Sequence, residues 1–115
     1  MSSSPGADIL QELAQTIRAR RAEATDKSYT RQLLDSGVER CAKKFGEEAI
    51  ETVIAAVSQD DAALKAEVAD LLYHLLVVLE ARQINLDDVL SVLAGRMGTS
   101  GLAEKAARGT RKADQ

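Results

Sequence analysis

Apolar residues recur along most of this chain at steps of three and four, the signature of helices that bury one face. Ile9, Leu10, Leu13 and Ile17 share one side of a helix expected over residues 7–23. The polar, aperiodic residues 24–29 read as a loop, and Ser28-Tyr29-Thr30 offers caps for a short helix carrying Leu33 and Leu34. A longer helix is expected over residues 38–57, with Gly37 at its junction with the short one. Ser58-Gln59-Asp60-Asp61 interrupts the pattern, and the next helix is expected over residues 62–82. Asn85 with Asp88 three residues on opens a further helix, ending near Met97. Residues 98–101 read as a turn, 102–108 as a last helical piece, 1–6 as a disordered leader and 109–115 as a polar tail. The strict alternation of half-buried strands is absent. The expected fold is all-α, an antiparallel bundle of four to five helices in a single domain over residues 7–108.

The helix over 62–82 carries an unusual stripe. Glu67, Asp70 and His74 stand at i, i+3 and i+7, within ~60° of one another around the helix. Around them lie Leu64, Val68, Leu71, Leu72, Leu75, Leu76, Val77, Val78 and Leu79, so the helix is apolar nearly all round and reads as buried. A lone carboxylate at Asp70 then costs several kcal/mol or takes up a proton, and a partner is implied: a cation, or a lysine or arginine from a neighbouring helix. Glu67 stands nearer the helix start, within reach of solvent. The preceding helix supplies Glu47, Glu48 and Glu51, opposite an apolar face of Val38, Phe45, Ile50, Val53, Ile54 and Val57. Taken alone, that seam reads equally as a solvated surface laced by Lys43–Glu47 and Lys44–Glu48 pairs.

Taken together, the two seams imply more. Antiparallel helices packed about 8–10 Å apart bring these carboxylates close enough to repel unless a cation separates them. Oxygen ligands without a cysteine cluster select a hard ion, Mg²⁺ or Mn²⁺. Magnesium keeps waters and takes substrate phosphates as further ligands, so the natural chemistry is on a polyphosphate. The apolar helix over 64–79 also needs more cover than a few short helices provide. A homodimer is expected, with a pocket that both chains can line.

Composition narrows the picture. The chain has 115 residues, enough for one domain, and only 3% are aromatic, so its core is aliphatic and few rings, Tyr29 among them, are available to stack on a base. A net charge of −3 argues against a nucleic-acid binder. Cys41 and His74 are each the only residue of their kind, which excludes an internal disulfide and a multi-histidine metal site. No apolar run is long enough to span a membrane and the N-terminus lacks a signal-peptide pattern, so a cytoplasmic protein is expected.

Three stretches carry a family likeness: Ser28-Tyr29-Thr30-x-x-Leu33-Leu34-x-x-Gly37; Lys43-Lys44-x-Gly46-Glu47-Glu48-Ala49-x-Glu51; and Glu67-x-Ala69-Asp70-Leu71-Leu72-Tyr73-His74-Leu75-Leu76-Val77. They resemble the all-α MazG-like nucleoside triphosphate pyrophosphohydrolases and, within these, the phosphoribosyl-ATP pyrophosphohydrolases of histidine biosynthesis. Arg96-x-Gly98-x-Ser100-Gly101-x-x-Glu104-Lys105-x-x-Arg108 is similar to the tail of bacterial members. Phe45 stands where the family pattern has a smaller aliphatic residue. The resemblance implies Mg²⁺-dependent hydrolysis of phosphoribosyl-ATP to phosphoribosyl-AMP and pyrophosphate, with Mn²⁺ a possible substitute. It assigns Glu48, Glu51, Glu67 and Asp70 as metal ligands, and Glu47 as a further ligand or, with Glu48, a group acting on water. Lys43 and Lys44 become phosphate contacts, or else surface partners of the glutamates. Ser28, Tyr29 and Thr30 become substrate contacts, or else caps. His74 supports a ligand carboxylate, or else is a satisfied core histidine. Arg96, Ser100 and Lys105 rest on the likeness alone. Two other functions fit the same residues: a housecleaning enzyme acting on ordinary or damaged nucleoside triphosphates, and a non-catalytic helical interaction module.

Overall fold

A computed structural model describes residues 5–25 and 27–98. Its elements are α1 (Pro5–Ala22), α2 (Tyr29–Asp35), α3 (Val38–Ser58), α4 (Asp61–Ala81) and α5 (Leu86–Gly98), with no strand among the described residues. The all-helical class is therefore as expected, and local chemistry explains the boundaries. α1 starts at Pro5, inside the segment read as leader. Proline suits a first helical position because its φ is already helical and its missing N–H has no partner there to lose. Ser28 caps α2, its Oγ accepting from the Arg31 N–H at 3.1 Å. Gly37 has φ +97°, a conformation that side chains other than glycine rarely adopt, so α2 and α3 are separate helices. Asp60 caps α4 by accepting from the Ala63 N–H at 2.9 Å. Gln83, at φ 57°, then turns the chain out of α4 while the Ile84 N–H reaches back to the Leu79 carbonyl at 2.8 Å.

A first compact unit, residues 1–84, holds α1–α4; a second, from Asn85 onward, holds α5. In the first, α3 and α4 form the main hairpin, with α1 and α2 against α4. Ile17, Leu33, Cys41, Ala55, Leu76 and Val77 form its buried core. The Cys41 thiol donates to the Leu33 carbonyl at 3.2 Å and ties α3 to α2. Glu80 of α4 is buried as well, accepting from Arg21 Nε at 2.6 Å and Arg18 Nε at 3.3 Å across the α1–α4 contact. Nothing in the helical spacing pointed to that arginine clamp.

The apolar α4 helix is not covered all round: Val68 and Leu72 are 36% and 37% exposed. Its partner α3 leaves Ile50, Val53, Ile54 and Val57 open at 47–80% exposure. Within the first unit α1 and α2 pack against α4 and leave this face of α3 open.

Candidate active site

The hairpin brings three of the five acidic residues together. Glu48 of α3 and Glu67 and Asp70 of α4 each offer an oxygen, and these oxygens all lie within 4.8 Å of one another. Thr52 fastens the helices at this level: its hydroxyl donates to the Glu48 carbonyl at 2.8 Å and lies 3.3 Å from the Glu67 carbonyl. Sequence reasoning passed over Thr52, although a threonine one turn after a candidate ligand, in a run of Val, Ile and Ala, was the available signal.

The burial of these acids reverses the expectation. Asp70 is exposed, whereas Glu48 and Glu67 are half-buried. Asp70 is open to solvent, on the opposite side of α4 from Val68 and Leu72, so water reaches it. Glu67 lies beneath α3 instead, and its Oε2 is buried without any hydrogen-bond partner. Among the described residues no lysine or arginine pairs with Glu48, Glu67 or Asp70, so a satisfied core ion pair does not account for them. Burial, then a hydrogen bond and repulsion from Glu51, then Asp70, push the Glu48 carboxyl above its usual range, and His74 opposes them. An orphaned buried oxygen beside crowded carboxylates is the arrangement a hard cation relieves.

Glu51 joins through its bond to Glu48 and lines a cleft of about 430 Å³ with Lys44, Glu47, Glu48 and Ile50. It also borders a smaller cavity of about 210 Å³ with Ile54, Gln59 and Glu67. Glu47 lies outside the three-oxygen cluster, exposed at the cleft and paired with Lys44 Nζ at 3.2 Å. Lys43 is exposed.

His74 is buried, and its Nδ1–H donates to the Asp70 carbonyl at 2.9 Å. That leaves Nε2 to accept from the Tyr29 hydroxyl at 3.5 Å. The imidazole thus binds the main chain of a site residue and not its carboxylate. Thr30 is engaged by the Tyr73 hydroxyl at 2.5 Å, and Ser28 caps α2. Tyr29 stacks on Tyr73 with ring centres 6.5 Å apart and remains half-exposed, with a face open to a ligand. Arg96 is exposed in the last turn of α5, in the second unit; Ser100 and Lys105 lie outside the described residues.

Comparison with known proteins identifies what this geometry belongs to. The family model for phosphoribosyl-ATP pyrophosphohydrolase matches residues 10–97. The chain belongs to the phosphoribosyl-ATP pyrophosphohydrolase family. It is 59% identical over 100 residues to the phosphoribosyl-ATP pyrophosphatase of Ruegeria sp. (strain TM1040), covering 87% of this chain and 95% of that one. Phosphoribosyl-ATP pyrophosphatase 1 of Bradyrhizobium diazoefficiens is 61% identical over 99 residues, 86% of this chain and 93% of its own. A phosphoribosyl-ATP pyrophosphatase of Cereibacter sphaeroides is 54% identical over 101 residues, 88% of this chain and 98% of its own. The stretch matched by the phosphoribosyl-ATP pyrophosphohydrolase family includes the whole acidic hairpin and Arg96, and ends before Ser100 and Lys105.

Proposed function

We propose that this protein hydrolyses phosphoribosyl-ATP to phosphoribosyl-AMP and pyrophosphate, the second step of L-histidine biosynthesis, with Mg²⁺ held between α3 and α4. The observation that carries the metal assignment is Glu67 Oε2, buried without a partner beside Glu48 and Asp70. The names of relatives more than half identical over most of the chain support the substrate.

Glu48, Glu51, Glu67 and Asp70 would hold the ion, and their all-oxygen chemistry admits Mn²⁺ as a substitute. An ion held by these residues would supply charge neutralisation for the polyphosphate. The chain's own groups do the rest. Glu48, with its raised proton affinity, and Glu47, at the cleft edge, are the carboxylates placed to orient water and accept its proton. Water oxygen then bonds to phosphorus while the bond between the α- and β-phosphates breaks, and pyrophosphate leaves. Lys44 stands beside Glu47 and, with Lys43 on the next residue, offers an ammonium to the phosphates. Tyr29 would present its ring to the base; Ser28 caps the helix that carries it, Thr30 bonds the Tyr73 on which it stacks, and His74 bonds its hydroxyl and the Asp70 carbonyl.

The exposed apolar face of α3, Ile50, Val53, Ile54 and Val57, is the surface on which a second copy would dock, giving a homodimer. No helix among the described residues is long and apolar enough to cross a membrane, in keeping with work in the cytoplasm on a small nucleotide.

Pyrophosphate release from phosphoribosyl-ATP, with and without Mg²⁺ and beside a panel of deoxynucleoside triphosphates, tests the proposal. Release only with the metal, and fastest from phosphoribosyl-ATP, is expected. Hydrolysis of the panel with phosphoribosyl-ATP left intact overturns it.

A further inference from the structure

A further cavity, of about 270 Å³, is lined by Tyr29, Gln32, Leu33 and Ser36 with Arg40 of α3. Its lining contains a single full charge, the Arg40 guanidinium, and no carboxylate. Arg40 has no ion-pair partner among the described residues, unlike Arg31 with Asp35 or Lys44 with Glu47. The sequence denies it one locally. Its helical neighbours one turn back are Ser36 and Gly37, and one turn on are Lys43 and Lys44. Arg40 lies close enough to Lys44 for the two cations to repel. An unpaired guanidinium at a cavity without carboxylates, with Lys43 and Lys44 one turn on, draws an anion, although Lys44 is itself paired with Glu47.

The position of this cavity matters more than its charge. Arg40, Lys44, Glu47 and Glu51 fall on one stripe of α3, cations toward its start and carboxylates beyond. Arg40 and Glu48 are eight residues, ~12 Å, apart along the axis. Tyr29 connects the two places: it lines the Arg40 cavity, and its hydroxyl reaches His74, which holds the Asp70 turn. Phosphoribosyl-ATP has the matching form, since it is ATP carrying a second ribose 5-phosphate on its adenine. Its triphosphate and its phosphomonoester leave opposite edges of the base.

We propose that Arg40, in the cavity with Tyr29, Gln32 and Ser36, binds the phosphomonoester of the second ribose and so distinguishes phosphoribosyl-ATP from nucleoside triphosphates that lack it. The assignment rests on the hydrolysis proposed above. The guanidinium fork suits a phosphate bidentately, and Gln32 and Ser36 offer polar atoms to the sugar. With adenine against Tyr29, the triphosphate points toward Glu48, Glu67 and Asp70.

The test compares the product phosphoribosyl-AMP with ribosyl-AMP, its form without the distal phosphate, as inhibitors of phosphoribosyl-ATP hydrolysis. In the unaltered protein phosphoribosyl-AMP is the stronger inhibitor. In Arg40→Gln that advantage shrinks by about tenfold or more, while the inhibition constant of ribosyl-AMP changes less than about twofold. Arg40→Lys, which keeps the charge but loses the fork, falls between them. Arg40 is exposed, so both variants are expected to melt as the parent does. An unchanged ratio in Arg40→Gln, in a protein that hydrolyses phosphoribosyl-ATP, overturns this assignment and leaves the proposed reaction standing. No hydrolysis by the unaltered protein overturns both.

Discussion

His74 donates its Nδ1–H to the main-chain carbonyl of Asp70, one turn back along α4, at 2.9 Å. The buried ring is thus fixed to the turn whose carboxylate meets Glu48 and Glu67, and it packs edge-on against Tyr73 with centres 4.9 Å apart. Replacing it with leucine keeps the bulk and removes the tie. His74→Leu is expected to raise the Mg²⁺ concentration for half-maximal activity by roughly tenfold, with kcat at saturating metal within about threefold of the parent. Metal titration of pyrophosphate release reads both values. A drop in saturating kcat at an unchanged metal requirement counts against a positioning role.

Glu67→Gln and Asp70→Asn separate the cost of the acidic cluster from its use. Without metal, neither variant is expected to melt below the parent, because each removes a charge from a crowded group. With millimolar Mg²⁺ the parent's Tm rises and the variants' does not. Turnover falls by at least ~100-fold in each. A parental metal shift retained in both variants would place the ion elsewhere.

The Glu48 carboxyl is raised above its usual 4.5 by burial first and by Glu51 next. Between the unfolded and folded values the folded chain holds more protons than the unfolded one, so this contribution to stability falls as pH rises through that window. Glu48→Gln removes the contribution. Its metal-free Tm should therefore exceed the parent's most at neutral pH, with the gap closing as pH falls toward 4.5. A gap that widens on acidification contradicts the shift.

Glu80 and its two arginines predict an asymmetry. The Glu80 side chain is 6% exposed, but those of Arg18 and Arg21 are 54% and 42% exposed. Removing both arginines strands a buried carboxylate, at a cost of about 3 kcal/mol. Glu80→Ala only releases two side chains that reach water, and costs roughly 1–2 kcal/mol. Urea unfolding of the two variants checks the order.

Val53, 62% exposed on α3, is the position that tests the proposed dimer. Sedimentation equilibrium of the parent at micromolar concentration is expected to give twice the chain mass, and Val53→Glu a single chain of unchanged helix content. A monomeric parent removes the dimer from the proposal.

The helix order was legible because its determinants are local. Ser28, Gly37 and Asp60 act on their own backbone or on the next turn, and a rotation of ~100° per residue puts Glu67, Asp70 and His74 on one face whatever lies opposite. The same geometry, with the three motif stretches, pointed to a polyphosphate site and to the family. Desolvation is different, because it depends on what another element covers. Asp70, ringed by leucines and valines in the sequence, lies on the open side of α4 and keeps its water. Glu67, nearer the helix start, loses its water under α3 and has the orphaned oxygen. Thr52 at the Glu67 carbonyl, Glu80 between Arg18 and Arg21, and Arg40 in the Tyr29 cavity are likewise cross-helix relations. Periodicity along one helix determined which residues share a face; only the packing of one helix on another decided which of them lost water, because desolvation depends on what a second element covers.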